Sequence, residues 1–151
     1  INFIENYIKI QQVRFGDRLK FQTEIDPDCL GIDIPPMILQ PLVENAVKYG
    51  IAPKEDGGTI YLTVRRSGKI IFFEVRDDGL GTKAKKIMDG SSSGVGMANT
   101  DLRLKSYYGP QSGLRIRASE NGYAVSFFVE EKEKKTRNEN RAVPRVIKEA
   151  V

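Results

Sequence analysis

Residues 60–81 read Ile60-Tyr61-Leu62-Thr63-Val64-Arg65-Arg66-Ser67-Gly68-Lys69-Ile70-Ile71-Phe72-Phe73-Glu74-Val75-Arg76-Asp77-Asp78-Gly79-Leu80-Gly81. Ile60, Leu62 and Val64 alternate with polar residues, Arg66-Ser67-Gly68-Lys69 turns the chain, and Ile71, Phe73 and Val75 alternate on the return. The pattern predicts a β-hairpin with one apolar face. The period of two carries Asp77 onto that same face.

Working outward, Met37 to Tyr49 places Ile38, Leu39, Leu42, Val43, Ala46 and Val47 at three- and four-residue intervals. Preceded by Pro35-Pro36, this predicts an amphipathic helix that Gly50 is positioned to end. Arg18 to Ile25 alternates as a strand stopped by Asp26-Pro27-Asp28. Residues 1–14 carry Ile1, Ile4, Tyr7, Ile8 and Val13 at near-helical spacing, as the end of a helix arriving from upstream. Downstream, Thr82 to Ser93 is polar and bracketed by glycines, the composition of a flap. Val95 to Tyr108 resumes a helical pattern through Met97, Ala98, Leu102 and Leu104 and closes at Gly109-Pro110. Strands over about 113–119 and 123–129 meet at Glu120-Asn121-Gly122. This order predicts an α+β fold, a two-layer α/β sandwich whose mixed, mostly antiparallel sheet carries its helices on one face. After Val129, the charged run from Glu130 to Arg137 predicts a solvated tail, in which Val143, Val146, Ile147 and Ala150 could form one short docking helix.

The chain of 151 residues carries 24 Lys+Arg against 20 Asp+Glu, one Cys and no His. One domain is the expectation at this length. Without imidazole there is no Ser-His-Asp or Cys-His nucleophile pair, no His-ligated zinc and no histidine proton shuttle within this polypeptide. Cys29 alone makes neither an internal disulfide nor a multi-cysteine metal site, which fits a reducing compartment. No apolar run approaches the ~20 residues that cross a bilayer as a helix. Residues 130–151 hold seven basic and five acidic side chains, leaving 17 against 15 elsewhere. No basic run interleaved with aromatics concentrates charge for nucleic acid, so none is expected as a partner. The start at Ile1, without an initiator Met, is expected of a piece excised from a longer chain.

Three elements can carry chemistry. A carboxylate at the edge of an apolar layer costs several kcal/mol unless donors reach it, so Asp77 needs a partner. Either a turn amide or the exocyclic amine of an adenine serves, and Gly79 and Gly81 move the balance towards the ring, since a residue without Cβ lets it approach the backbone. Ser93-Gly94-Val95-Gly96-Met97-Ala98-Asn99 opens a helix with glycines, where free N–H groups favour phosphate, although a loop-to-helix junction explains it equally. Glu44, Asn45 and Lys48 share one polar helix stripe, either a solvated face or oxygen ligands for Mg²⁺ with a point charge for phosphates.

The run Leu39-Gln40-Pro41-Leu42-Val43-Glu44-Asn45-Ala46-Val47-Lys48-Tyr49-Gly50, then Asp77 to Gly81, then Gly94 to Asn99 resemble the N, G1 and G2 boxes of the Bergerat ATP-binding fold. That superfamily includes sensor histidine kinases, DNA gyrase, MutL and heat-shock chaperone ATPases. A finer resemblance, to the LytS/YehU-like sensor histidine kinases, rests on Arg14-Phe15 with Asp17-Arg18-Leu19, Ile34-Pro35-Pro36, the Leu39-to-Asn45 run, and Arg103-Leu104 with Tyr108-Gly109. It covers about residues 1–129.

The resemblance implies that residues 1–16 end an upstream dimerisation helix, 17–129 form the ATP-binding catalytic domain, and 130–151 are a charged C-terminal tail. Asn45 would hold Mg²⁺ and the triphosphate, Asp77 would accept from the adenine amine, and Gly79 and Gly81 would line the adenine pocket. Residues 82–93 would form an ATP lid, with Gly94 and Gly96 flanking the phosphates. Lys48 and Tyr49 fall where relatives contact phosphate and nucleotide. Asn99 and Arg103, one turn apart, would face the triphosphate, an ion pair on the helix being the alternative for Arg103.

Three positions depart from the family pattern. Pro41 stands where hydrolysing members place a general-base Glu and cannot activate water, which argues for phosphoryl transfer, with Glu44 left to polarise an acceptor. Asp78 replaces the usual Asn, adding charge near the lid that would weaken nucleotide binding. Tyr123 replaces a Thr often found near the adenine.

The function implied is the ATP-binding half of a two-component sensor histidine kinase, with Glu44, Asn45 and Lys48 as its catalytic set. It would present Mg·ATP to a histidine on a separate dimerisation domain, from which a response regulator is phosphorylated. The parent would be a homodimer anchored in the bacterial cell membrane, with this domain in the cytoplasm. The alternatives are a noncatalytic nucleotide-binding interaction module and a serine-directed kinase of the same fold.

Overall fold

The computed structural model describes residues 2–35, 37–82 and 94–131. Helix α1 (Asn2–Phe15) leads through a 3-10 turn into β1 (Leu19–Ile25). Helix α2 (Leu39–Asn45) runs on into a π-helical segment (Ala46–Ile51), followed by β2 (Gly58–Ser67) and β3 (Ile70–Asp77). Helix α3 (Gly94–Tyr108), β4 (Arg115–Ser119) and β5 (Gly122–Glu130) complete the order. The strands form one sheet, β1-β2-β3-β5-β4, in which β1 pairs parallel with β2 and every other pair is antiparallel. The parallel pair follows from α2, since parallel neighbours need a crossover between them while hairpins give antiparallel ones. The expected α+β sandwich with a mixed sheet is what forms.

Register makes the core. Across β2, β3 and β5, Leu62 lies beside Val75 and Val125, and Val64 beside Phe73 and Phe127. These rows pack against Leu42, Val43, Val47 and Ile51 of the α2 segment, Ile4 and Ile8 of α1, and Leu104 of α3. The Phe73 and Phe127 rings stack with centroids 4.8 Å apart. Each such side chain contributes about 1.5–3 kcal/mol on burial, which holds the helical layer on one face of the sheet. The last row of this apolar face is Ile60, Asp77 and Tyr123, so the pleat that builds the core also buries Asp77, which is 2% exposed.

The second helix differs from its predicted limits at both ends. Met37 takes a left-handed φ of 65°, which delays the helix to Leu39. Pro41, rather than Pro35-Pro36, then occupies the first turn, where N–H groups lack intrahelical acceptors and a proline costs little. At the far end Gly50 does not stop the helix. It lies buried inside the π segment, where the Ala52 N–H donates to the Val47 carbonyl five residues back at 2.8 Å. Such π turns are frequent at functional sites. The expectations for the flap and for most of the tail concern residues 83–93 and 132–151, outside the described residues.

Candidate functional site

The chemistry gathers where β3 ends. The Gly79 N–H donates to Asp77 Oδ1 at 2.9 Å, so the turn amide engages one oxygen of this carboxylate. Burial, reinforced by the neighbouring Asp78 charge, pushes the Asp77 pKa from 3.8 to about 6, against the lowering effect of the Gly79 and Tyr123 amides and of Arg76. At neutral pH Asp77 is therefore ionised, and it retains acceptor capacity for a further donor.

Glycines wall this carboxylate. A Cβ on Gly50 would fall 2.6 Å from Asp77 Cγ, and one on Gly79 would fall 2.5 Å from Gly50 Cα. The Leu80 N–H donates to the Gly50 carbonyl at 3.2 Å, tying the turn to the π segment. Gly81 has φ 55°, and a Cβ there would lie 2.7 Å from the Gly122 nitrogen in the β4–β5 turn. Gly50, Asp77, Gly79 and Gly81 thus make one corner whose wall is mostly backbone. Half-buried Tyr123 borders it across the strand, its phenol pKa raised by burial and then by the Asp77 charge.

Asp78, whose charge was expected near the flap, is held against β2. Its Oδ1 accepts from the Thr59 amide at 2.6 Å, and its carbonyl accepts from Lys54 Nζ at 2.9 Å. The Asp78 N–H returns to the Thr59 carbonyl at 3.2 Å. This clamp fixes the start of the Asp78-Gly79 turn against β2.

On the helical layer, Glu44 and Asn45 are half-buried near the end of α2. Gln40 Nε2 donates to Glu44 Oε1 at 2.6 Å, and the Tyr7 phenol of α1 has its pKa raised by burial and then by Glu44. Glu44 therefore faces α1. Lys48 is exposed, with Nζ 4.8 Å from the centroid of the half-buried Tyr49 ring. The π segment begins directly after Asn45, so Lys48 and Tyr49 sit on a turn wider than an α-helical one. Gly94, Gly96 and Asn99 open α3, with Gly96 and Asn99 exposed and Arg103 half-buried one turn on. Buried Thr100 donates its hydroxyl to the Gly96 carbonyl at 2.9 Å. Helix α3 packs on α2, which sets these glycines on the neighbour of the helix carrying Asn45.

The structure thus brings Asp77, Gly79 and Gly81 into one corner; Glu44, Asn45, Lys48 and Tyr49 lie on the helical segment whose Gly50 meets Asp77, and Gly94, Gly96 and Asn99 lie on α3, which packs on α2. Sequence reasoning missed the part played by Gly50, Thr59, Lys54 and Tyr7. The Gly57-Gly58 doublet before Thr59 was the available signal for the clamp, because a Cβ on Gly58 would fall 2.9 Å from Ile51 Cδ1 and against the Asp78 carboxylate.

The profile of the HATPase_c family, the histidine kinase-, DNA gyrase B- and HSP90-like ATPases, matches residues 32–133. Sensor histidine kinase YpdA of Escherichia coli strain K12 is 37% identical over 133 residues, covering 83% of this chain and 23% of that protein. Sensor protein LytS of Staphylococcus haemolyticus is 32% identical over 134 residues, covering 83% of this chain and 23% of that protein. The chain spans about a quarter of the length of these two relatives. Among solved structures, the blue-light activated histidine kinase of Erythrobacter litoralis superposes with a TM-score of 0.61 at 16% identity, over 89% of this chain and 42% of that one. The mycobacterial sensor histidine kinase MprB gives 0.57 at 16% identity, over 84% of this chain and 91% of that one. At such identities the structural likeness is one of fold, and it agrees with the sequence relationships. The chain belongs to the histidine kinase-, DNA gyrase B- and HSP90-like ATPase family.

Proposed function

We propose that this chain is the ATP-binding catalytic domain of a sensor histidine kinase, presenting Mg·ATP for phosphoryl transfer to a histidine on a separate dimerisation domain, from which a response regulator is phosphorylated. The observation that carries the reading is the buried carboxylate of Asp77, held by the Gly79 amide and walled by Gly50, Gly79 and Gly81. The glycines let backbone close tightly around this carboxylate, and an ionised oxygen held there can accept from the exocyclic amine of an adenine. Tyr49 and Tyr123 supply half-buried aromatic surface beside it.

The donor set also fits a cation and phosphates. Among the described residues no group of three or more His, Cys, Asp or Glu side chains could hold a metal alone. Asn45 would hold Mg²⁺ together with nucleotide phosphates and water, the ligand set this ion favours. When bound, the ion would offset the charge of the phosphates. Lys48 would add an exposed positive charge, and the amino end of α3 at Gly94, Gly96 and Asn99 would offer backbone N–H groups to the phosphates. Glu44, turned towards Tyr7 of α1, would polarise an acceptor imidazole arriving beside that helix. Pro41, lacking a base, leaves water unactivated. Catalysis by the chain is then positioning and charge stabilisation.

In this reading residues 1–16 end the dimerisation helix, 17–129 are the catalytic domain and 130–151 the tail of a homodimeric, membrane-anchored parent. No described helix is long and apolar enough to cross a membrane, so an anchor would lie elsewhere in that parent. The Thr59 amide gives the acidic residue at 78 a structural role alongside the effect of its charge on Asp77. Calorimetric titration of Mg·ATP tests the site: Asp77→Ala and Asn45→Ala are each expected to weaken binding by about tenfold or more, the loss of one charge-assisted or metal-linked contact. Wild-type protein that shows no heat with millimolar Mg·ATP would sink the reading.

A further inference from the structure

We infer that Gly50 determines nucleotide selectivity: by carrying no side chain, it lets the Asp77 carboxylate stand where it distinguishes a 6-amino purine from a 6-oxo purine. The inference rests on the proposed reading of Asp77 as the adenine acceptor. It concerns a residue that sequence reasoning treated only as a helix stop.

Conformation does not explain a glycine at this position. Gly50 lies inside a helical segment and is not among the residues with positive φ, so alanine can take the same backbone and is the better helix former. Space explains it instead. A Cβ on Gly50 would fall 2.6 Å from Asp77 Cγ and 3.1 Å from Oδ2, and would meet Oδ1 as well. What blocks it is the tip of a side chain, held by the Gly79 amide, rather than main chain. The other glycines of the corner differ, because a Cβ on Gly79 would strike the Gly50 backbone and one on Gly81 the backbone of Ser119 and Gly122. Those substitutions would displace main chain, whereas alanine at 50 would displace the carboxylate and leave the helix in place.

The displaced carboxylate would leave the Gly79 amide, which now fixes it at 2.9 Å, and turn away from the ring edge. Discrimination by a buried acceptor arises because the wrong ligand leaves it unpaired, and a 6-oxo purine additionally opposes it with an acceptor. Once the acceptor has moved, the two purines meet similar surroundings. The positioning is therefore done by the helical segment that also carries Asn45 and Lys48, the residues proposed to meet metal and phosphate, which couples base recognition to them.

The test titrates Mg·ATP and Mg·ITP, whose base carries oxygen at position 6, into the full chain as wild type, Gly50→Ala, Asp77→Ala and the double variant. Wild type is expected to prefer ATP by about tenfold or more. Gly50→Ala is expected to unfold within a few degrees of wild type, to lose about tenfold in ATP affinity and less than about threefold for ITP, and to add nothing in the Asp77→Ala background. The inference is overturned if Gly50→Ala keeps the wild-type ratio, loses both nucleotides equally, fails to fold, or still weakens ATP binding when Asp77 is already gone. A wild type blind to ATP against ITP would instead remove the reading of Asp77 itself, and the inference with it.

Discussion

Replacing Asp77 by asparagine removes one buried negative charge while keeping the shape of the side chain and an oxygen for the Gly79 amide. The folded domain holds the Asp77 proton more tightly than the unfolded chain does, since the pKa rises from 3.8 to about 6 on folding. For a raised acid the sign is fixed: the stabilisation is present below about pH 4 and is lost as pH rises through about 6. At 1.36 kcal/mol per pH unit, the ionised carboxylate opposes folding by about 3 kcal/mol at neutral pH. Asparagine escapes this cost but brings an amide N–H₂ that must find water in the open site, so a net gain of about 2 kcal/mol is expected. For a domain of this size that is roughly 4–8 °C in Tm. Thermal unfolding of nucleotide-free wild type and Asp77→Asn at about pH 7.5 and about pH 4.5 reads the effect, the variant being the more stable at the higher pH and the gap closing at the lower. Mg·ATP should raise the Tm of wild type only. A variant less stable than wild type at about pH 7.5, or a gap that ignores pH, would refute the assignment of Asp77 as a destabilising charge kept for binding.

Asp78→Ala leaves the Thr59 amide without its acceptor and should cost about 1–3 kcal/mol in urea unfolding, whereas Asp78→Asn keeps an acceptor and should cost less than about 1. Equal losses would mean that the clamp is not the reason for an acidic residue here. Gly81→Ala, with φ 55° and no room beside the β4–β5 turn, should lower stability by more than about 2 kcal/mol. Gly96→Ala, with nothing within 4 Å of the added Cβ, should leave it unchanged or raise it by up to about 1 kcal/mol through helix propensity; urea midpoints compare the two. Phe127→Ala removes a 1% exposed ring stacked on Phe73 and should cost about 3–5 kcal/mol, read by the same denaturation.

The strands were legible because each buries one face, which makes period two unambiguous: a one-residue slip between Ile60 to Val64 and Ile71 to Val75 would turn one apolar side to solvent. The same period placed Asp77 in the core before any contact was known. Helix ends were less legible, because Met37 takes a left-handed conformation that no local pattern announces, and the π segment keeps the apolar positions Val47 and Ile51 buried while changing the turn. Gly50 was misread for a related reason. A glycine after a helical run has the same local signature whether it caps the helix or makes room for a residue twenty-seven positions away, and only the tertiary contact with Asp77 separates the two. Asp78 illustrates the converse: its charge was visible in the sequence, but its direction depends on the Thr59 amide, which the β2–β3 register brings opposite it.

The most direct measurement mixes the chain with γ-labelled ATP, Mg²⁺ and a supplied histidine-bearing dimerisation domain, and follows label on the acceptor. This chain has no His, so in the proposed reaction the phosphorylated histidine belongs to the added domain. The account predicts acid-labile, alkali-stable label on the added domain, release of ADP in step with it, and loss of both with Asp77→Ala or Asn45→Ala. Tight Mg·ATP binding with no labelled histidine, or an acid-stable phosphoserine in its place, would contradict it.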